Sequence, residues 1–501
     1  MFLPAILYLL VFLFLIYRTD FLKFFKDTEI SPKNLTAIFL VKSLAIPIFY
    51  LVYKKIYGGL ENFDAGIFYK DAKALNNLAY LDLTEFVKVI FGLHDERAGS
   101  YFYNHVVIYT NNWDNGKLKD FFYNDNRLVI RLHALFHFFS FNSYAVHALF
   151  SCMMSFVGSF YLYKSFKQFF IGKETMLFLL ICFFPALWFY TGALLKESLI
   201  IFVMGNMTLQ LKKIFSAKIK LRSALWLLCL LGVSFLLKPY LLCFSALCFS
   251  VFFAIFYSKI KYKSAFFLLI NSTVLVIINY IFVFNGHPNL KQLAMGQQYI
   301  FSNASKGGIF LRDPFKLVRL DYDTSLIGKK PNQKKYSIKK NVSYMYWEHS
   351  HQHDTLFCLA NKDTQTVYGL EYMANKGGSN IALTDYSKNK FSFVWASLYH
   401  SLFHPLFING KNLLLAIASF ENLFIITSFF IVLLGCVKNE KDPFLPVGFM
   451  FFAVCFCFLV GLTTPNIGAI LRYRSPAVVF ILLSALYYFK GSASFFLKRR
   501  N

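Results

Sequence analysis

Long apolar runs recur from one end of this chain to the other, and they constrain the fold more than any other feature. Of the 501 residues, 57% are hydrophobic and 20% are aromatic, which is outside the range of soluble proteins. Runs of roughly 15–25 residues match the apolar thickness of a bilayer, where a helix satisfies its own backbone hydrogen bonds. The pattern therefore predicts an all-α polytopic membrane protein.

The apolar runs predict about eleven transmembrane helices, and the loops between them alternate in basic charge. By the positive-inside rule, the Lys- and Arg-rich loops are cytoplasmic, so the N-terminus lies outside and the C-terminus inside. The basic loops are 18–35, 164–174, 212–222, 258–264, 437–443 and 490–501. The predicted spans are about 2–17, 36–53, 143–163, 175–193, 197–211, 223–237, 241–257, 265–285, 412–436, 444–462 and 477–489.

The net charge of +26 does not indicate nucleic-acid binding, because much of it lies in these short loops and sets topology.

Two longer loops are predicted to be extracytoplasmic, and the second is long enough to form a small domain. In the first loop, Leu128–Phe139 has the pattern of an interfacial helix and places Arg131 among apolar residues. The predicted organisation is 1–53 with two transmembrane helices, 54–142 as the first loop with amphipathic helices, 143–285 with transmembrane helices 3–8, 286–411 as the second loop, and 412–501 with transmembrane helices 9–11 and a cytoplasmic tail.

Two acidic residues follow the second predicted span. Asp64 and Asp71 are seven residues apart, so a helix would place both on one face. A carboxylate at a membrane surface can accept the proton of an attacking hydroxyl group, a role worth about 10²–10⁴ in rate. The alternative is that both are solvated acids of a loop.

Basic residues flank several apolar spans on the same predicted side as these acids. Arginine and lysine bind phosphate oxygens, so such a group fits the departure of a lipid diphosphate. The alternative is that the cations extend to the interface or form structural ion pairs. The phosphate-binding candidates are Lys196, Lys238, Tyr240, Arg472 and Arg474, and Glu197 is a supporting residue.

Two charges fall inside predicted spans. Glu421 is an intramembrane acid, which indicates either a functional group or an ion pair with Lys196 or Arg472 that fixes helix packing. Lys42 is expected to extend toward the cytoplasmic surface.

A histidine-rich segment in the second long loop is a weak candidate for a metal site. In a strand, His349, His351 and His353 would share one face, where they could bind a divalent cation. This leaves Mg²⁺ or Mn²⁺ open as a cofactor.

The order of these motifs resembles that of the glycosyltransferase C superfamily and related surface-polysaccharide enzymes of bacteria. The resemblance covers most of residues 36–490 and implies a helical fold of that type. It implies that Asp64 or Asp71 is the catalytic base, and that Lys196, Lys238, Arg472 and Arg474 bind the phosphate of a polyprenyl-linked sugar. The chain departs from the family in having an extra early span and an Asp-x6-Asp pattern instead of adjacent acids.

The sequence thus predicts a membrane glycosyltransferase or glycan polymerase in the bacterial inner membrane, with a lipid-linked sugar donor, a glycan acceptor and membrane lipid as partners. A transporter or flippase for an anionic lipid-linked glycan is the first alternative. A non-catalytic scaffold for surface assembly is the second.

Overall fold

The computed structural model describes most of the helical part of the chain and seven short strands. The described residues are 3–26, 29–57, 59–60, 63–97, 99–110, 112–113, 124–217, 220–284, 390–406, 413–438, 443–464 and 466–489, with strands between 309 and 372.

Helices account for nearly all of the described chain. Their bounds are α1 Leu3–Tyr17, α2 Pro32–Ser43, α3 Ala45–Tyr57, α4 Asp64–Leu81, α5 Leu83–Phe91, α6 Tyr101–His105, α7 Asn126–His137, α8 Tyr144–Phe166, α9 Glu174–Phe183, α10 Pro185–Tyr190, α11 Lys196–Ser216, α12 Leu221–Leu237, α13 Pro239–Phe256, α14 Lys263–Phe284, α15 Lys390–Leu402, α16 Leu413–Lys438, α17 Phe444–Thr463 and α18 Ile467–Tyr488.

The helical architecture is confirmed, and it is compatible with a membrane protein. Within the described chain, six helical segments are long and apolar enough to cross a membrane. Each predicted span falls on one of these segments or on a shorter apolar helix, and the total of eleven stays a prediction. The six segments are Pro32–Lys55, Tyr144–Phe169, Lys196–Ser216, Ala416–Val437, Phe444–Thr463 and Ile467–Tyr488, and the shorter helices are Leu3–Tyr17, Glu174–Phe183, Leu221–Leu237, Tyr240–Phe256 and Lys263–Ile277.

The second long loop contains structure that the all-α prediction did not include. Antiparallel pairing joins β1 to β7, β4 to both β2 and β5, and β3 to β6, and α15 follows these strands. The bounds are β1 Ile309–Phe310, β2 Lys316–Arg319, β3 Lys335–Lys339, β4 Ser343–Glu348, β5 Leu356–Leu359, β6 Thr364–Tyr368 and β7 Glu371–Tyr372.

Three of the predicted basic loops meet at one end of the bundle. The Lys164 ammonium donates to the carbonyl oxygen of Phe24 at 2.8 Å, and the Lys212 ammonium donates to that of Lys164 at 3.0 Å. Lys167 forms an ion pair with Glu29 at 3.0 Å. The alternation of loops between two ends therefore has a structural counterpart, while the assignment of this end to the cytoplasm stays a prediction.

Two predictions about the spans are wrong. The last helix begins at Ile467, ten residues earlier than expected, so Arg472 and Arg474 lie within α18 rather than before it. Lys42 does not extend to the surface, because its side chain is buried at 1% exposure and donates to the Thr191 hydroxyl at 3.1 Å. Buried polar groups supply the partners that water would supply at a surface.

The close contact of α8 with α11 depends on two glycines. A methyl group on Gly158 would overlap the carbonyl oxygen of Ile201, and one on Gly205 would overlap that of Gly158. Small residues let helix backbones approach closely in membranes, where van der Waals packing drives association.

Gly205→Ala should destabilise the protein by about 1–3 kcal/mol, because the added methyl group must separate two packed backbones. Gly232→Ala on α12 is the matched control, since nothing lies within 4 Å of its added carbon. Thermal unfolding in detergent checks both variants. Equal unfolding midpoints for Gly205→Ala and Gly232→Ala would contradict the close contact between α8 and α11.

Candidate functional site

Six charged side chains from distant parts of the chain meet beside the ends of several helices. Each occupies a helix terminus, the residue next to one, or the second turn of a helix. They are Asp64 at the start of α4, Asp125 before α7, Lys196 and Glu197 at the start of α11, Lys238 between α12 and α13, and Arg472 in α18. We call these residues the charge cluster.

Arg472 joins two carboxylates in the first half of the cluster. Its Nε donates to Glu197 Oε1 at 2.7 Å, and its Nη1 donates to Asp64 Oδ2 at 2.7 Å. The Glu197 side chain is fully buried and that of Arg472 is 5% exposed, whereas that of Asp64 is 44% exposed. Burial of an unpaired carboxylate is strongly unfavourable, so Glu197 requires the arginine. The Asp64 carboxylate is less buried and can also be hydrated by water.

Asp125 joins two lysines in the second half. Its Oδ1 lies 2.6 Å from Lys196 Nζ, and its Oδ2 lies 3.1 Å from Lys238 Nζ. Burial opposes ionisation of this carboxyl group, but Lys238 and Lys196 outweigh burial and hold the pKa of Asp125 well below its usual range. Asp125 is therefore a carboxylate at neutral pH.

An aromatic ring connects the two halves. Lys238 Nζ lies 4.8 Å from the ring centre of Tyr473, and the guanidinium carbon of Arg472 lies 5.4 Å from the same centre. Both distances are within the range of cation–π attraction. Tyr473 is thus in contact with one cation from each half of the cluster.

The charge cluster balances three cations against three carboxylates. Among its six side chains, Asp64 has the largest exposed fraction. The other two carboxylates are held more deeply.

Sequence reasoning missed Asp125. Asp125 occupies the residue before α7, where aspartate commonly caps a helix, yet its side chain makes no capping hydrogen bond. Its carboxylate binds the two lysines instead. The position of Asp125 at a helix start was visible in the sequence, but its partners are 71 and 113 residues away and no local pattern connects them.

Asp71 and Arg474 lie in other contacts. The Asp71 side chain is buried and accepts a hydrogen bond from the Asn112 backbone amide at 2.7 Å. Arg474 donates to the Ser401 carbonyl oxygen and to Asn422 Oδ1. Residues two apart on a helix project about 200° apart, which is why Arg472 and Arg474 face different neighbours.

The remaining candidates have varied surroundings. The Glu421 carboxylate accepts from the Ala186 backbone amide rather than pairing with Lys196 or Arg472. Arg131 stacks on Trp113, with its guanidinium carbon 5.2 Å from the ring centre. Tyr240 is 39% exposed, and its ring centre lies 5.7 Å from Lys238 Nζ.

No metal site is formed by the part of the chain that the structure describes, where no group of three or more His, Cys, Asp or Glu side chains could hold an ion. Each carboxylate of the charge cluster is paired with a cationic side chain. His349, His351 and His353 lie outside the described residues.

The fold and site define a helical membrane protein with a buried charge cluster near helix ends. No protein-family model, curated protein or solved structure matches the chain. The resemblance to the glycosyltransferase C superfamily therefore stays a prediction from sequence.

Asp125→Asn should destabilise the protein by about 3–5 kcal/mol at pH 7, because it leaves two buried lysines without their counterion. The folded-state pKa of Asp125 is below its unfolded value of about 3.9. The stabilisation is therefore present above about pH 4 and is lost as the pH falls through the folded-state pKa. The difference in unfolding free energy between the variant and the wild type should therefore shrink as the pH falls below about 4, and it should vanish only below the folded-state pKa of Asp125.

Asp95→Asn is the control for this comparison. Asp95 pairs with Arg97 at 2.7 Å, but both side chains are exposed, at 44% and 88%. Solvent screens exposed ion pairs, which therefore contribute little to stability, so this variant should unfold nearly like the wild type. Equal effects of the two substitutions would show that Asp125 is not a buried counterion.

Proposed function

We propose that this protein is an integral membrane glycosyltransferase or glycan polymerase that uses a polyprenyl-linked sugar donor. The observation that carries the proposal is the contact of Asp64, a half-exposed carboxylate, with Arg472, a buried guanidinium group of the charge cluster. This contact places a potential base beside a potential phosphate-binding group. Both groups lie in helices, and Arg472 is also fixed by Glu197.

Arg472 is the group best suited to hold the donor phosphate. A diphosphate carries about two negative charges and accepts paired hydrogen bonds from a guanidinium group. The phosphate would replace Asp64 on Arg472, while Glu197 keeps the arginine side chain in place. Lys196 and Lys238 belong to the other half of the charge cluster and add positive potential, which Asp125 partly balances.

Asp64 released from Arg472 would act as the general base. The acceptor hydroxyl oxygen attacks the anomeric carbon of the donor sugar and forms the new glycosidic bond. The bond from that carbon to the phosphate oxygen breaks, and its electron pair leaves with the lipid diphosphate. The hydroxyl proton passes to Asp64.

The apolar surfaces between helices would hold the polyprenyl chain, and the second long loop would bind the glycan acceptor. By the positive-inside rule, the charge cluster faces the outer side of a bacterial inner membrane. The charge cluster lies at the end of the bundle opposite the one where Lys164, Lys167 and Lys212 meet.

A transporter or flippase for an anionic lipid-linked glycan is the second candidate. Lys42, Glu421 and Arg474 are buried within candidate membrane spans, and a transporter requires polar groups at such depth. In the described structure these three side chains bond to backbone, amide or hydroxyl groups of neighbouring segments. Those contacts favour a structural role and leave the enzyme as the better-supported proposal.

Asp64→Asn should reduce transfer of sugar from a radiolabelled polyprenyl-linked donor by about 10²–10⁴ while leaving donor binding intact or tighter. Arg472→Gln should instead weaken binding of undecaprenyl diphosphate by about 10- to 100-fold, because a charged hydrogen bond is lost. Turnover and binding are measured with purified protein in nanodiscs. Asp71→Asn, on the same helix, tests whether the buried acid contributes.

Arg97→Gln in the first loop is the control for loss of a positive charge, because Arg97 pairs only at an exposed position with Asp95. It should leave binding and turnover unchanged. Turnover that survives Asp64→Asn, Asp71→Asn and Arg472→Gln would contradict the enzyme. Net movement of the lipid-linked glycan across a proteoliposome membrane without sugar transfer would favour the transporter.

A further inference from the structure

The predicted span at 175–193 is interrupted between α9 and α10. Helix α9 ends at Phe183, and α10 begins at Pro185. Proline has no amide hydrogen, and its ring collides with the carbonyl group four residues earlier in a continuous helix. The interruption leaves backbone groups that must find other partners, because the bilayer interior offers no water.

Two buried charges supply those partners. The Lys42 ammonium lies 3.5 Å from the Cys182 carbonyl oxygen, and the Glu421 carboxylate accepts from the Ala186 amide. In an uninterrupted helix, the Ala186 amide would donate to the Cys182 carbonyl, four residues earlier. Lys42 and Glu421 therefore bind the two halves of one missing helical hydrogen bond. Their side chains come from α2 and α16, on different parts of the chain.

The contacts of Lys42 continue toward the charge cluster. Its ammonium also donates to the Thr191 hydroxyl at 3.1 Å, and its carbonyl oxygen accepts from Trp188 Nε1 at 3.0 Å. Gly192 packs so closely against Ala45 that a methyl group there would overlap it. The junction of α2 and α3, through Lys42 and Ala45, thus fixes α10 and the turn that follows it.

That turn leads directly into the charge cluster. Residues 191–195 connect α10 to α11, whose first two residues are Lys196 and Glu197. The Ser198 hydroxyl donates to the Thr191 carbonyl oxygen at 3.2 Å and joins the turn to the helix. A shift of the turn would move both the lysine that binds Asp125 and the glutamate that binds Arg472.

Helix α16, which supplies Glu421, also contacts the helix that carries Arg472. Asn422, next to Glu421, accepts from Arg474, which is two residues beyond Arg472 on α18. The orientation of α18 and the position of α10 are therefore both fixed from α16.

We propose that Lys42 and Glu421 are positioning residues that hold the helix interruption and thereby fix Lys196 and Glu197 in the charge cluster. A charge at bilayer depth costs about 2.5–3.5 kcal/mol or more, so a buried lysine and glutamate that each bind a backbone group have a specific task. The link to catalysis rests on the proposed function, whereas the positioning itself does not.

Hydrogen exchange of the full-length protein in nanodiscs tests the positioning directly. Glu421→Leu and Lys42→Met should raise amide exchange in peptides covering 185–195 by about 10-fold or more, because the freed backbone groups open locally. Glu421→Gln keeps an oxygen acceptor for the Ala186 amide and should stay within about twofold of wild type. Peptides from α17 should exchange as in the wild type in all three variants.

Two results would overturn the proposal. One is unchanged exchange at 185–195 in both Glu421→Leu and Lys42→Met. The other is an equal rise in α17, which would mean general destabilisation rather than local release.

Binding of undecaprenyl diphosphate gives a second and independent readout. Lys42→Met should weaken binding in the wild-type background but add little in a Lys196→Met background, because both act through the same side chain. Fully additive losses of binding free energy in the double variant would contradict the idea that Lys42 acts through Lys196. If the wild type binds no diphosphate, the proposed function fails, while the exchange experiment still decides whether Lys42 and Glu421 position the turn.

Discussion

The pairing of charges away from water is the interaction on which this structure depends. Arg472 binds Glu197 and Asp64, and Asp125 binds Lys196 and Lys238. Removal of one partner from such a set leaves an uncompensated charge in a medium of low dielectric constant. The relative positions of α4, α7, α11 and α18 are therefore coupled through a few side chains.

Much of the helical architecture followed from the sequence because bilayer thickness determines span length. Lys196, Glu197, Lys238 and Arg472 could be recognised as candidates for one site, because charges beside apolar spans are rare and alternation of basic loops places them at one end. Asp125 could not be found in this way, since its importance depends on partners brought together by folding. Arg474 was assigned to the same site because sequence proximity was given more weight than helical direction.

Burial inside the bundle also explains why Lys42 was misjudged. From sequence, a lysine near the inner end of a span is expected to reach water. The interruption at Pro185 creates a carbonyl group that needs a donor, and Lys42 supplies it. The polar groups thus form two layers. The charge cluster lies at the helix ends and includes the half-exposed Asp64, whereas Lys42 and Glu421 lie deeper and bind the backbone at the interruption between α9 and α10. This division favours chemistry at the surface over passage through the bundle.

A cryo-electron microscopy structure with bound undecaprenyl diphosphate would test the central claim most directly. We expect a phosphate within about 4 Å of the Arg472 guanidinium group, the usual limit of an ion pair. We also expect Asp64 to have moved away from Arg472 while Glu197 remains bonded to it. A diphosphate bound elsewhere, with the contact of Asp64 and Arg472 intact, would contradict a phosphate-binding role for Arg472.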